Sequence, residues 1–183
     1  LGGVYHYFNE NGDKIQEDGL AIKKSLVKME EFLDVESKEP DHGLVLSLFT
    51  NLQEYFDPEN GGFGSAPKFP PTHKIDFLIK LLSDREVGQK DKNLAFLMAD
   101  LSLKMMADRG LYDHVEGGFF RYSVDQKWEI PHFEKMLYDN AQLIRLYALM
   151  YKISNNPHYK EVVFSVSGWM ANKMISDQNL FYS

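Results

Sequence analysis

Hydrophobic residues recur at helical spacing in six segments of this chain, and polar or glycine-rich stretches separate the segments. Asp41 and Thr72 are suitable N-caps, and Gly110 is a suitable stop signal. Pro131 suits the first turn of a helix, because backbone N–H groups there have no partner within the helix. Asn155-Asn156-Pro157 indicates a sharp turn. The predicted helices run from 17 to 38, 41 to 56, 72 to 82, 91 to 109, 131 to 151 and 157 to 174.

Residues 1–16 have a different pattern, a brief alternation of apolar and polar positions that contains Asn11-Gly12. Alternation favours a strand, and Asn-Gly is a common hairpin turn. We therefore expect a short extended or hairpin lead-in over 1–16, followed by one helical domain over 17–183.

A glycine-aromatic motif occurs three times in the helical part. Gly61-Gly62-Phe63 recurs as Gly117-Gly118-Phe119, and Asn179-Leu180-Phe181 is a weaker third copy. The phenylalanines lie 56 and 62 residues apart, and each copy follows a segment with helical periodicity. A repeat of this length indicates a supersecondary unit that must stack on its neighbours to bury its apolar face.

The connections between the predicted helices alternate in length. Short turns join the first helix to the second, the third to the fourth and the fifth to the sixth, whereas loops of about fifteen and about twenty residues join the other pairs. In antiparallel hairpins all the short turns fall at one end and all the long loops at the other, and long loops on a rigid scaffold often carry function. The sequence therefore predicts an all-α fold of antiparallel helical hairpins whose glycine loops share one face.

Composition narrows the function classes. A formal net charge of −7 disfavours a nucleic-acid partner, because phosphate binding needs clustered Lys and Arg. The chain has no cysteine, which excludes disulfides and thiolate metal sites within it and suits a reducing, cytoplasmic location. No apolar run is long enough to predict a membrane span. The first residue, Leu1, and the abrupt finish inside the third motif suggest a piece of a longer protein.

The fifth predicted helix carries polar residues near one end that bulk solvent would not require. His132, Lys135 and Asp139 share one stripe, and Glu134 and Tyr138 lie on an adjacent stripe. A histidine at a helix start tends to stay neutral, because the macrodipole disfavours imidazolium, and it can then act as a base near pH 7. His132 and Asp139 are therefore candidates for proton transfer; a structural cap or loop clamp is the alternative for His132.

Two interpretations remain open for the aromatic candidates. Trp128 and Tyr122 could stack on a sugar ring or fill the mouth of the helical ring. The pairs His114/Glu116 and His132/Glu134 have no third ligand at a recognisable spacing, so we expect no metal site and no cofactor.

These motifs resemble those of a known family. The sequences Gly-Gly-Phe-Gly-Ser-Ala-Pro-Lys-Phe-Pro at 61–70 and Gly-Gly-Phe-Phe-Arg-Tyr-Ser-Val-Asp at 117–125 look like two of its signatures. Trp128 and the segment from Pro131-His132 to Ala141 look like the third. The family is the spermatogenesis-associated protein 20-like family, thioredoxin-domain-containing proteins of unknown function, and the resemblance covers residues 40–183.

The resemblance implies a thioredoxin-like domain followed by an (α/α)6 toroid similar to N-acylglucosamine 2-epimerases and six-hairpin glycosidases. This chain contains about three hairpins and no cysteine-bearing motif, so we expect about half of a toroid. Asn179-Leu180 also departs from the Gly-Gly of the other two copies.

By fold analogy, the resemblance implies a carbohydrate-directed catalytic domain, either epimerase- or isomerase-like or glycosidase-like. An epimerase needs a base and an acid, and a glycosidase needs two carboxyl groups at a defined separation. The candidate catalytic residues are His132, Asp139 and Glu134. The candidate substrate-binding residues are Lys68, Arg121, Tyr122, Trp128, Lys135, Tyr138 and Asn140.

The alternative is a non-catalytic binding or scaffold domain that packs on the thioredoxin-like domain of the same full-length protein or on another protein. The expected partners are therefore a carbohydrate substrate and that domain, with no nucleic acid and no membrane. Half of a toroid leaves apolar helix faces uncovered, so we also expect oligomerisation through these faces, an incomplete cavity, or both.

Overall fold

The computed structural model describes residues 2–33 and 41–182. The chain divides into two compact units, with the boundary between Asp41 and His42. No helix within these described ranges combines the length and apolar character that a bilayer crossing requires.

The first unit is helical throughout its described part. It contains α1 (Gly2–Glu10) and α2 (Gly12–Leu33). Between them, the N–H of Asn11 donates to the Tyr7 carbonyl and the Asn11 carbonyl accepts from the N–H of Ile15, both at 3.0 Å. Helical hydrogen bonds thus continue on both sides of Asn11-Gly12, and the predicted extended or hairpin lead-in over 1–16 is wrong. The predicted end of the first helix near 38 lies outside the described residues.

The second unit contains five helices and one small sheet within its described residues. The helices are α3 (His42–Tyr55), α4 (Thr72–Leu81), α5 (Gln89–Asp108), α6 (Leu137–Ser154) and α7 (Pro157–Lys173). The strands β1 (Tyr122–Ser123) and β2 (Pro131–His132) pair antiparallel. The all-α prediction is therefore confirmed, and the bounds of α3, α5 and α7 lie within two residues of the predicted ones at most ends.

Two side-chain contacts show that α4 and α6 are parallel neighbours. The Thr72 hydroxyl donates to the Gln142 side-chain carbonyl at 2.6 Å, and Arg145 donates to the Asp76 carboxylate at 2.6 Å. Thr72 is thus the first residue of α4 and ties it to α6, whereas the predicted capping bond from its side chain is absent. Both helices begin at the end of a long loop.

The helices α5 and α7 form the second layer. Each packs on its own hairpin partner, α5 on α4 and α7 on α6. The Tyr159 hydroxyl of α7 donates to the Asp100 carboxylate of α5 at 2.5 Å, which joins the two helices. Two adjacent antiparallel hairpins therefore stand side by side as a two-layered wall.

The core lies between these layers. The helix α5 is buried along much of its surface, including Met98, Leu103 and Met106, although Leu97 is exposed. The Tyr147 hydroxyl of α6 reaches across the core and donates to the Leu103 carbonyl at 2.7 Å. Each fully buried side chain of this size contributes about 1.5–3 kcal/mol to the free energy of unfolding, so the buried residues of α5 stabilise the second unit.

The turn between α6 and α7 forms as predicted. Asn155 is in the left-handed region with φ 54°, a conformation that Asn tolerates better than most residues. The Asn156 side chain caps α7 by accepting the N–H of His158 at 3.1 Å.

The fifth predicted helix begins six residues later than expected, at Leu137 instead of Pro131. Pro131 and His132 form β2, and its register places His132 opposite Tyr122. The N–H of Arg121 also donates to the Glu134 carbonyl at 2.7 Å. Strand pairing thus satisfies the backbone that the sequence analysis assigned to a first helical turn.

A single carboxylate holds the turn between β1 and β2. Asp125 accepts hydrogen bonds from the N–H groups of Lys127, Glu129 and Ile130 at 2.5, 3.1 and 2.5 Å. The Val124 N–H donates to the Ile130 carbonyl at 2.9 Å. A proline after such a turn can begin a strand as readily as a helix, and for this reason Pro131 misled the prediction.

Candidate functional site

The first glycine loop is organised by Asp57. Its carboxylate accepts the N–H groups of Glu59 and Asn60 at 3.1 and 3.0 Å, and its own N–H donates to the Gly62 carbonyl at 3.0 Å. Gly61 and Gly62 both have positive φ, 66° and 76°, a conformation that glycine adopts without steric cost. The chain turns back here, so that Phe56 and Phe63 form a β-bridge.

Lys68 fastens this loop from inside. Its ammonium donates to the Asp57 carboxylate at 2.6 Å and to the Gly61 carbonyl at 2.9 Å, and its side chain is only 1% exposed. Burial raises the pKa of Asp57, but hydrogen bonds from Lys68, Gln126 and Asn60 outweigh burial and hold that pKa well below its ordinary value. The structure therefore gives Lys68 a role in holding the loop instead of the predicted contact with a substrate hydroxyl.

The second glycine loop repeats this arrangement. Asp113 accepts the N–H groups of Val115 and Glu116 at 2.9 and 3.1 Å. Lys135 donates to the Asp113 carboxylate at 2.6 Å and to the Gly117 carbonyl at 2.8 Å. Lys135 thus corresponds to Lys68, and its predicted substrate contact is likewise replaced by a contact within the loop.

The third copy forms a similar turn that is one residue shorter and lacks the acid. Ile175 and Phe181 form the equivalent β-bridge, and the Ser176 N–H donates to the Leu180 carbonyl at 2.8 Å. Ser176 stands where the other copies have Asp, and its hydroxyl accepts the Leu180 N–H at 3.2 Å. The repeat seen in the sequence is therefore a repeat of structure.

The first two loops meet at one end of the helical wall. Lys68 and Ser123 exchange both of their backbone hydrogen bonds, each at 2.8 Å. The Trp128 indole N–H donates to the Asn60 carbonyl at 2.9 Å. The prediction that the glycine loops share one face is confirmed.

Trp128 and Asn140 belong to the framework of this end. Trp128 is fully buried, and a Cβ on Gly62 would lie 2.6 Å from the Trp128 ring. The indole therefore fills the space between the glycine loops and cannot stack on a ligand. Asn140 is also fully buried: its side chain accepts the Phe119 N–H at 2.7 Å and donates to the Phe119 carbonyl at 3.1 Å. The predicted substrate contact of Asn140 is replaced by this strand-like pairing.

Two of the remaining candidates form an aromatic stack at the surface. His132 is exposed and stacks on Tyr122, with ring centroids 4.8 Å apart and planes 14° apart. Phe69 also stacks on Tyr122, with centroids 4.8 Å apart. The macrodipole argument for His132 no longer applies, because it lies in β2 and not at a helix start.

The other candidates form a polar cluster where α6 begins. Arg121 faces the Glu134 carboxylate at 3.8 Å, and its guanidinium lies 5.8 Å from the centre of the Tyr138 ring. Burial raises the pKa of Asp139; the charge of Arg121 opposes this effect and the charge of Glu134 adds to it. The surroundings of Asp139 therefore favour its protonated form.

Sequence reasoning missed Asp57, Asp113 and Phe69. The two acids could have been found, because each follows an aromatic residue and precedes Gly-Gly-Phe by the same number of positions. Phe69 is about half exposed. Within the described residues, no group of three or more His, Asp or Glu side chains is placed to hold a metal ion.

Comparison with known proteins gives clear relatives. No family model matches the chain. Human spermatogenesis-associated protein 20 is 34% identical over 182 residues, which are 98% of this chain and 23% of that protein. An uncharacterized protein of Caenorhabditis elegans is 36% identical over 172 residues, which are 93% of this chain and 23% of that protein. The chain therefore spans about a quarter of the length of these relatives.

A solved structure shares the fold. Cellobiose 2-epimerase from Bacillus thermoamylovorans aligns with 77% of this chain and 40% of its own, with a TM-score of 0.58 and 16% sequence identity. At this identity the match shows the fold alone. It confirms the predicted toroid class of helical hairpins.

Proposed function

We propose that this chain, a homologue of spermatogenesis-associated protein 20, contributes part of a carbohydrate-directed catalytic site with epimerase- or isomerase-like activity. One observation carries the proposal: the rim of the glycine loops brings Tyr122, His132, Arg121, Glu134, Tyr138 and Asp139 onto neighbouring parts of β1, β2 and the start of α6. The fold shared with a cellobiose 2-epimerase supports the choice of substrate class.

Epimerisation next to a carbonyl requires that a base removes a proton from carbon and that an acid returns it to the other face. Asp139 suits proton transfer, because burial raises the pKa of its carboxyl toward the range where it can both accept and release a proton. His132 is the second group proposed, because an imidazole can accept and donate a proton and this side chain is exposed. Arg121 would stabilise negative charge that develops on the sugar oxygen.

A glycosidase-like reaction is the second candidate, and one observation favours it. The charge of Glu134 raises the pKa of Asp139, so the two carboxyl groups are close enough to interact. Glycoside hydrolysis uses two such carboxyl groups, one protonated and one ionised. Under this candidate Asp139 would donate the proton and Glu134 would be the second carboxyl group.

Incubating the complete protein with mono- and disaccharides in deuterated water tests both candidates. An epimerase exchanges the carbon-bound proton next to the carbonyl for deuterium, whereas a glycosidase releases a shorter sugar; proton NMR and product analysis separate the two. We expect Asp139→Asn to lower the rate by a factor on the order of 10²–10⁴. The control is Glu161→Gln, an exposed carboxylate on α7, which should leave the rate unchanged.

Two outcomes would contradict the proposal. One is the absence of exchange and of cleavage with every sugar tested, while the protein remains folded. The other is an Asp139→Asn variant as active as the unmodified protein. The first result would favour the non-catalytic alternative, in which this rim contacts a thioredoxin-like domain or another protein. The second would show that Asp139 is not the proton-transfer group.

A further inference from the structure

Phe69 belongs to the aromatic stack beside the glycine loops, but it has no part in the proposed proton transfer. Phe69, Tyr122 and His132 form a stack of three rings, and Phe69 remains 52% exposed. We propose that this stack is a platform for the apolar face of a neutral pyranose ring. The inference rests on the proposed function and adds to it a binding surface and a substrate class.

The platform is held rigidly by the surrounding loops. Phe69 directly follows Lys68, whose side chain is fixed by Asp57 and whose backbone pairs in both directions with Ser123. Tyr122 and His132 lie opposite each other in the β1–β2 register. The rings are therefore ordered before a ligand arrives, which lowers the entropic cost of binding.

An exposed ring with polar neighbours is suited to sugars. The C–H groups of a pyranose face pack on an aromatic ring, and the ring hydroxyls need hydrogen-bonding groups beside it. Arg121 adjoins Tyr122 in the chain, and it faces Glu134 and Tyr138. The platform and the polar cluster are thus joined at the β1–α6 junction.

The charges around the loops favour a neutral ligand. Four of the basic side chains at these loops each face a carboxylate: Lys68 faces Asp57, Lys135 faces Asp113, Arg121 faces Glu134 and Arg109 faces Glu129. To bind at any of these four cations, a phosphate or carboxylate on the ligand would have to displace an acid. Together with the net charge of −7, this pairing disfavours sugar phosphates and uronates.

Saturation-transfer NMR titration of the complete protein tests this inference. Cellobiose and glucose serve as neutral probes, and glucose 6-phosphate serves as the anionic one. We expect the neutral sugars to bind, with saturation strongest on the protons of one ring face, and the phosphate to bind at least several-fold more weakly. Phe69→Ala should raise the Kd of the neutral sugars roughly three- to tenfold, and Phe69→Trp should restore or tighten binding.

The matched control is Phe164→Ala, which removes a similarly exposed phenylalanine from the outer helix α7 and should leave the Kd unchanged. Neutral sugars that bind Phe69→Ala as tightly as the unmodified protein would overturn the platform and leave the proposed function standing. Tighter binding of the phosphate would overturn the neutral substrate class. Failure of every sugar to bind would overturn both the platform and the proposed function.

Discussion

Lys68 and Asp57 form an ion pair that is shielded from water, with side chains 1% and 6% exposed. Such a pair is costly to break, because the remaining charge has no solvent to stabilise it. We expect Lys68→Met to lower the free energy of unfolding by about 3–5 kcal/mol, measured by urea denaturation.

Lys80→Met provides the control for this prediction. Lys80 also pairs with an aspartate, Asp76, but its side chain is 69% exposed, and an exposed pair of this kind contributes at most about 1 kcal/mol. Equal losses in the two variants would show that Lys68 does not act as a buried anchor.

Asp139 should reduce stability at neutral pH. Burial raises its pKa in the folded protein, Glu134 adds to this and Arg121 opposes it. A raised folded-state pKa means that the protonated form is favoured on folding; the resulting stability is present at pH values below the ordinary pKa and is lost as the pH rises through the folded value.

We therefore expect Asp139→Asn to unfold at higher urea concentration than the unmodified protein at pH 7, with a difference that shrinks toward zero below about pH 4. Urea titrations at several pH values measure this. A lower midpoint for the variant at pH 7 would argue that the ionised carboxylate stabilises the fold, and against its use as a proton-transfer group.

At the scale of elements, the glycine loops depend on backbone conformation and close approach. A Cβ on Gly61 would meet the Ser102 Cα at 2.8 Å in addition to the positive φ of 66°. Gly64 has a similar φ of 74° but open space around it. Gly64→Ala should cost about 1–2 kcal/mol, and Gly61→Ala about 2–4 kcal/mol because α5 must also move.

Thermal or urea unfolding measures the stability lost in each variant. Because the two glycines have similar φ, the difference between the two losses is the contribution of the contact between the first loop and α5. If both substitutions had the same effect, contact between the loop and α5 would not contribute to stability.

The helices show where sequence patterns suffice. Apolar periodicity predicted α3, α5 and α7 well because these helices are continuous, ending at Tyr55, Asp108 and Lys173. The start of α6 was not predictable in this way. Whether Pro131 begins a helix or a strand is decided by its pairing with β1, a contact that local sequence does not encode.

The site was predicted unevenly for a related reason. His132, Glu134, Tyr138, Asp139, Arg121 and Tyr122 do lie near one another at the rim. Lys68, Lys135 and Asn140 were taken for ligand contacts, but each is bonded within the loops. A polar residue in the sequence indicates that its side chain needs a hydrogen-bonding partner. Only the folded structure shows whether that partner is another part of the protein or a ligand.

At the scale of the whole chain, α3 presents an apolar face to solvent. Leu48 and Tyr55 are exposed, and with Leu52 and Phe77 they line a groove of about 370 Å³ between α3 and α4. Exposed apolar surface of this kind favours association. We expect the 183-residue chain to self-associate as its concentration rises, measured by light scattering.

Leu48→Lys should reduce this association, because it places a charge in the groove. Leu97→Lys is the control, since Leu97 is an exposed leucine of α5 that does not line the groove. A chain that stays monomeric at all concentrations, or equal effects of both variants, would show that the groove is not the contact surface.

The two lysine anchors enclose segments of different length. Lys68 follows Asp57 by 11 residues, whereas Lys135 follows Asp113 by 22. The longer interval includes both β1 and β2 and therefore Tyr122 and His132. Because the anchoring bonds lie at the two ends of each segment, the second loop carries a longer insert than the first while both keep the same lysine–aspartate clasp.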